Sequence, residues 1–295
     1  MNAFLTEDTH VGTLSAMIQK LPIATNALRR KILEMAFKAK GGHVAGALSV
    51  VDIVAILYDR ILRVDPANPA SPERDYFILS KGHACLAQYV VLAEKGFFTK
   101  ETLETFVKPG TKLAGHATMG LPGVEASTGS LGHGLPMSVG LAYGLKFDKK
   151  PNRVFVILSD GECQEGSTWE AIMSASSFNL DNLVAIVDYN KMQSCGPVKD
   201  VLPSFEPFRQ KWEAFGWAVR EVDGHDQDAL TEAFSAVPFR QGKPSLVIAH
   251  TVKGKGVSYT ENVPIWHFRA PNPEEYALAM RELADGPEED PRAHA

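Results

Sequence analysis

The sequence predicts an α/β fold, a mostly parallel sheet with helices on both faces. Three observations carry that reading. Strand-like and helix-like stretches alternate along the chain. Most of the strand-like runs are continuously apolar, as strands covered on both faces are. The third is size: 295 residues, 45% of them hydrophobic and 22% charged, suffice for a sizeable core.

Taken in order, helical periodicity covers 24–40 and 49–62, and YFILS (76–80) is the first run that reads as a strand. Helical patterns follow over 83–95 and 132–147. The strand VFVILS (154–159) precedes a helix at 166–178, and LVAIVDY (183–189) precedes one at 207–215. WAVREV (217–222) leads into a helix at 226–236, and SLVIAH (245–250) into one at 273–284. The segment 106–135 departs from this rhythm: it is rich in glycine and histidine and has little periodicity. Loops of that length in compact domains are usually functional. No repeat or linker divides the chain, so the expectation is one folded unit over 1–284 and a short polar tail over 285–295 that frays.

A net charge of −5 gives no global attraction for nucleic acid or an anionic membrane, so an anionic ligand needs a local site. Cys85, Cys163 and Cys195 are an odd number without metal-type or CxxC spacing, which points to a reducing compartment. No secretory signal and no run of eighteen apolar residues is seen, and the cytoplasm is the expected location.

The stretch SDGECQEG (159–166) sets an acid and two glycines where a strand hands over to a helix. In open parallel sheets ligands bind outside the carboxyl ends of the strands. Asp160 ends one strand, and Asn190 ends the next, thirty residues on. Side by side, these oxygens and a carbonyl from NKMQ suit Mg²⁺, which takes few carboxylates and completes its shell with water and phosphate. Gly161 and Gly166 permit close backbone approach, and the following helix N-terminus favours phosphate. The plainer alternative is that Asp160 only caps the turn. There is neither a GxxxxGK[ST] loop nor a GxGxxG fingerprint after the first strand, which disfavours nucleoside triphosphate and dinucleotide.

An Asp-Gly pair followed about thirty residues later by Asn is similar to the thiamine-diphosphate signature. GGHVAGALSVVDIVAILY (41–58), RDYFILSKGHACLAQY (74–89), AGHATMGLPGVEASTGSLGHG (114–134), SDGECQEGSTWEA (159–171), VDGHD (222–226) and HTVKGKGVS (250–258) narrow the likeness. In order and nearly end to end, they resemble the transketolase family. The resemblance implies the thiamine-diphosphate-binding fold, with thiamine diphosphate and Mg²⁺ as cofactors. It also implies transfer of a two-carbon ketol unit from a ketose, expected to be phosphorylated, to an aldose. Carried over, it makes Asp160, Asn190 and the Met192 carbonyl metal ligands. Gly161, Gly129, Ser130 and Leu131 lie along the cofactor, and Glu165 joins a carboxylate network between cofactor sites. His43, His83, His116 and His267 face the diphosphate, the thiazolium or the sugar.

A lone histidine is more often a core or surface residue, but His43, His83 and His116 each sit in a glycine-flanked block. His267 lies in WHFR, where the family usually has glycine after histidine. His225 reads as shaping a turn, Lys253 and Lys255 as a solvated pair or a phosphate contact, and Cys163 as packing. Ser159 stands for a family glycine, and Ser130 and His133 for proline and glutamine, which bears on sugar preference. The chain matches the first of three family domains. The glutamate that contacts the cofactor's aminopyrimidine belongs to the second, so the resemblance implies an α2β2 assembly with a C-terminal partner subunit. Two alternatives remain at this point. One is a subunit of a 2-oxo acid dehydrogenase or pyruvate-decarboxylating synthase, which the glycine-histidine blocks disfavour. The other is a noncatalytic scaffold, which the Asp160/Asn190 pair disfavours.

Overall fold

The computed structural model describes residues 23–284; the tail expected over 285–295 lies outside them, as do residues 1–22. All five expected strands form, as β1 (Tyr76–Leu79), β2 (Val154–Ser159), β3 (Leu183–Tyr189), β4 (Ala218–Asp223) and β5 (Ser245–His250). They make one parallel sheet in the order β1-β2-β3-β5-β4. The helices are α1 (Thr25–Ala39), α2 (Val44–Ile56), α3 (Cys85–Glu94), α4 (Gly134–Phe147) and α5 (Gly166–Ser177), then α6 (Val198–Val201), α7 (Phe208–Ala214), α8 (Gln227–Ser235) and α9 (Pro273–Glu282).

Strand alternation divides the core in two. Phe77, Leu79, Phe155, Ile157, Ile186 and Val247 point to one face, into a cluster shared with α1, α2, α3 and α8. Ile78, Val156, Leu158, Ala185, Val187 and Ile248 point to the other, where α4, α5 and α7 pack. The connections from β2 to β3 and from β3 to β4 pass through α5 and α7 on the second face. The return from β4 to β5 passes through α8 on the first, as crossovers of one hand require when the direction reverses. β4, at the sheet edge, leaves Arg220 and Glu221 exposed, charges that discourage further pairing.

Two helices differ from expectation, and one of them, the short α6, has no counterpart in the sequence reading. The stretch expected at 49–62 starts earlier, at Val44, and closes with a wider turn over Leu57–Ile61. Every residue of α2 is buried, so packing on all sides overrides the helix penalty of Gly46. Among the described residues no helix is long and apolar enough to cross a membrane.

Because the strands are parallel, their carboxyl ends open on one side. Ser80 and Lys81 leave β1 there, Asp160 leaves β2, Asn190 leaves β3, and Thr251 leaves β5. The glycine-rich segment after α3 folds back to the same edge. Ala117 N–H donates to the Gly82 carbonyl (3.1 Å) and Thr128 N–H to the Ala117 carbonyl (3.0 Å).

Candidate cofactor site

The strand ends enclose a cleft of about 320 Å³ lined by the loops after β1, β2, β3 and β5 and by the segment around His116 and Gly129. Register places Ser159 opposite Asp188, so Asp160 and Asn190 leave neighbouring strands together, as the thirty-residue spacing requires. Asp160 is 1% exposed. Its Oδ1 accepts the Gly161 N–H at 2.7 Å, and its Oδ2 accepts the Lys191 N–H from the β3 side. The capping role is therefore real, and the second contact ties two strand ends together. The turn it caps is a short 3₁₀ segment, Gly161–Gln164, and α5 begins at Gly166, where the sequence reading places the start of the helix.

Burial, and then the Asp188 charge, push the Asp160 carboxyl up to about 7. A carboxylate so placed is stabilised by any cation that reaches it. Among the described residues no three His, Cys, Asp or Glu side chains converge as a metal cage. The donor set is one carboxylate, the Asn190 amide oxygen and the Met192 carbonyl, which suits a hard cation retaining water or phosphate oxygens. The Met192 carbonyl already faces positive charge, accepting from Lys253 Nζ at 3.3 Å.

Around this donor set the cleft offers unspent hydrogen-bonding groups. Gln164 Nε2, Gln193 Nε2 and His43 Nδ1 are buried without a partner, and all three residues line the cleft. An anion supplies the acceptors that two buried amide donors lack. Gly129 explains how the wall comes so close: with φ +140°, an added Cβ would stand 2.6 Å from His116 Cδ2. Ser130 is exposed and Leu131 half-buried beside it.

The four histidines, scattered over 43–267 in sequence, meet in one cluster centred on His43. Its ring lies 5.1 Å from His83, 5.3 Å from His116 and 5.2 Å from His267, centroid to centroid. Burial, then neighbouring positive charge, lowers His43 and His267 to about 4 and His83 well below its ordinary value. These three imidazoles are neutral near pH 7 and can each donate and accept a proton. Lys253 belongs to the same group. It is buried rather than solvated, contacts His267 Nδ1 at 3.3 Å, and burial and then Lys81 lower it to about 8.

The model for the transketolase thiamine-diphosphate-binding domain matches residues 22–289. The chain belongs to the transketolase family. An apulose-4-phosphate transketolase subunit from Phocaeicola vulgatus is 41% identical over 91% of this chain and 95% of its own length. A 6-deoxy-6-sulfo-D-fructose transketolase subunit from a Clostridium strain is 43% identical, covering 88% and 94%. Among solved structures, a Campylobacter jejuni transketolase superposes with a TM-score of 0.82 at 30% identity, over 88% of this chain and 42% of that one. As a transketolase-family transferase chain, it carries the thiamine-diphosphate-binding domain on the observed parallel sheet.

Three features of this transketolase chain escaped sequence reasoning. Phe268, where the family usually has glycine, packs on His43 with ring centroids 4.8 Å apart. Glu165 is exposed at the cleft edge, whereas Glu162 is fully buried, accepting from Ser80 Oγ and from Gly132 N–H at 2.9 Å. Lys81 and Asp188 form a buried ion pair under the cleft. The signal for this last pair was present, since Asp188 is an acid inside an apolar strand. His225 does more than shape a turn, because its Nδ1 contacts Asp52 at 2.7 Å and its Nε2 accepts the Val252 N–H. Cys163 is buried, as its packing role requires.

Proposed function

We propose that this chain is the N-terminal, diphosphate-binding subunit of a two-component transketolase that uses thiamine diphosphate and Mg²⁺. The carrying observation is that one cleft holds the Asp160, Asn190 and Met192 oxygens together with the four-histidine cluster. When bound, thiamine diphosphate supplies the carbon chemistry that cleaves and re-forms the C–C bond of a sugar. Asp160, Asn190 Oδ1 and the Met192 carbonyl hold the metal. Gly161 and the amides of Gln164 and Gln193 meet the diphosphate, and Gly129, Ser130 and Leu131 form the wall beside it. His43, His83, His116 and His267 bind sugar hydroxyls and move protons at the reacting oxygens. Neutral imidazoles suit both tasks near pH 7. The named relatives act on sugars with a phosphate or a sulfo group, so the substrate class proposed here is a ketose with an anionic terminal group.

The partner is a chain carrying the pyrimidine-binding domain, and the assembly is α2β2, located in the cytoplasm. The domain extends over 1–284 and Glu165 extends the carboxylate network towards a second cofactor site. Two features support the partner: the relatives are called subunits, and α4 presents Met137, Tyr143 and Phe147 to the outside, with Tyr143 4.8 Å from the exposed Phe178 after α5. The test is an assay of the chain with Mg²⁺, thiamine diphosphate, ketose phosphates and aldehyde acceptors, with and without the candidate partner. Ketol transfer only in the mixture is expected. Equal transfer by the chain alone refutes the two-component reading.

A further inference from the structure

Asp188 is fully buried at the end of β3, two residues before Asn190. Its carboxylate collects donors from the loops and helices around the cleft. Oδ2 accepts from Ser49 Oγ of α2 (2.7 Å), from Lys81 Nζ after β1 and from Asn190 Nδ2 (3.3 Å). Oδ1 accepts from Thr251 Oγ1 after β5. With its oxygens so engaged, Asp188 is not free to serve as a metal ligand itself. A buried ion pair with Lys81 is also poor evidence of a stabilising role, because apolar residues of similar size often do as well or better. The contact to Asn190 is the informative one.

An asparagine amide has an oxygen at one end and an NH₂ at the other, of nearly equal shape. Only the oxygen ligates a cation. Asp188 presents nothing but acceptors towards Asn190 and therefore faces Nδ2. On the other side, Met192 N–H is a donor and meets Asn190 Oδ1 at 3.0 Å. Both contacts select the same orientation, with the oxygen turned towards the loop whose Met192 carbonyl is the third proposed ligand.

We infer that Asp188 is a positioning residue that fixes the Asn190 amide with its oxygen towards the metal, while Lys81, Ser49 and Thr251 hold the Asp188 carboxylate in place for that task. This rests on the assignment of Asp160, Asn190 and Met192 as the Mg²⁺ ligands. Outer groups that orient metal ligands typically change metal affinity by about 10–100-fold when replaced. Asp188→Asn leaves one acceptor oxygen to be shared by Ser49, Lys81 and Thr251 and adds an NH₂ donor, so the selection of the orientation is weakened and the Asn190 amide can turn its NH₂ to the metal.

The experiment is calorimetric titration of the full chain with thiamine diphosphate at zero and saturating Mg²⁺. Thermal melting of each variant is followed in parallel. Asp188→Asn is expected to lose about 10–100-fold of the Mg²⁺-dependent part of the affinity. The swap Asp188→Asn/Asn190→Asp is the decisive variant. An aspartate at 190 presents an oxygen whichever way it turns, so the swap should recover most of that loss. A residue that merely supports the fold gives no such recovery. If Asp188→Asn leaves Lys81 unpaired and does not fold, Lys81→Met/Asp188→Asn, with and without Asn190→Asp, makes the same comparison. Parental affinity in folded Asp188→Asn, or no recovery in a folded swap, overturns the inference. Asp160→Ala separates it from the reading beneath: unchanged Mg²⁺ dependence there means the metal assignment has failed, whatever Asp188 does.

Discussion

Gly82→Ala should loosen the cleft wall without touching any proposed ligand. Gly82 opens the short turn after β1, and a Cβ built on it lies 2.5 Å from the carbonyl carbon and oxygen of Thr128. Ordinary contact requires the two segments to separate by about 0.9 Å. Neither is free to do so. Thr128 Oγ1 donates to the Leu79 carbonyl (2.6 Å) and Thr128 N–H to the Ala117 carbonyl, while Ala117 N–H donates back to the Gly82 carbonyl. Overpacking of this kind costs about 1–3 kcal/mol, and loss of one of these hydrogen bonds adds about 1 kcal/mol. For a domain of this size that total lowers the melting temperature by roughly 5–15 °C. Thr128 precedes Gly129, which lies so close to His116 that it has no room for a Cβ, so the displacement should also weaken thiamine-diphosphate binding. Circular-dichroism melts and calorimetric titration measure the two effects. Parental melting and affinity in Gly82→Ala would refute the close-packing argument.

His43 and His267 have folded pKa values near 4, lowered by burial, against about 6.5 unfolded. The unfolded chain then binds more protons between those values, so stability should fall as pH drops from about 6.5 to 4 and level off below. His43→Gln should flatten that slope in melts run across the pH range. His116→Ala should slow turnover of the assembled enzyme more than it weakens cofactor binding, because a sugar contact is lost chiefly in the transition state; steady-state kinetics beside a cofactor titration decide this. On α4, Gly140 and Gly144 are exposed with open space at Cβ, and each is less favourable in a helix than alanine by about 1 kcal/mol. Gly144→Ala should therefore raise the melting temperature of the chain alone, whereas Gly144→Arg should abolish association with the partner in sedimentation experiments if this face is the interface.

All the strands but the edge strand β4 were legible because a strand buried on both faces must be largely apolar, and VFVIL and SLVIA can hardly be read otherwise. The pairing of Asp160 with Asn190 was legible for a related reason: a strand, a helix and a strand fill thirty residues, and parallel neighbours bring their ends together. The start of α2 was not legible, since Gly46 weakens the local helix signal and only enclosure on every side restores it. Lys253 misled in the opposite sense. Between two glycine-flanked positions of HTVKGKGVS a lysine looks solvated, yet loops from three other strand ends bury it. Local sequence therefore determined the order of elements and the residue types delivered to the strand ends, because periodicity and spacing act over a few residues. Which charges are buried, which histidines stay neutral and which way the Asn190 amide turns depend on groups from α2 and the ends of β1, β3 and β5. Segments so far apart in the chain acquire those electrostatic and hydrogen-bonding relations only when the sheet brings them within a few ångströms, and only the tertiary structure decides them.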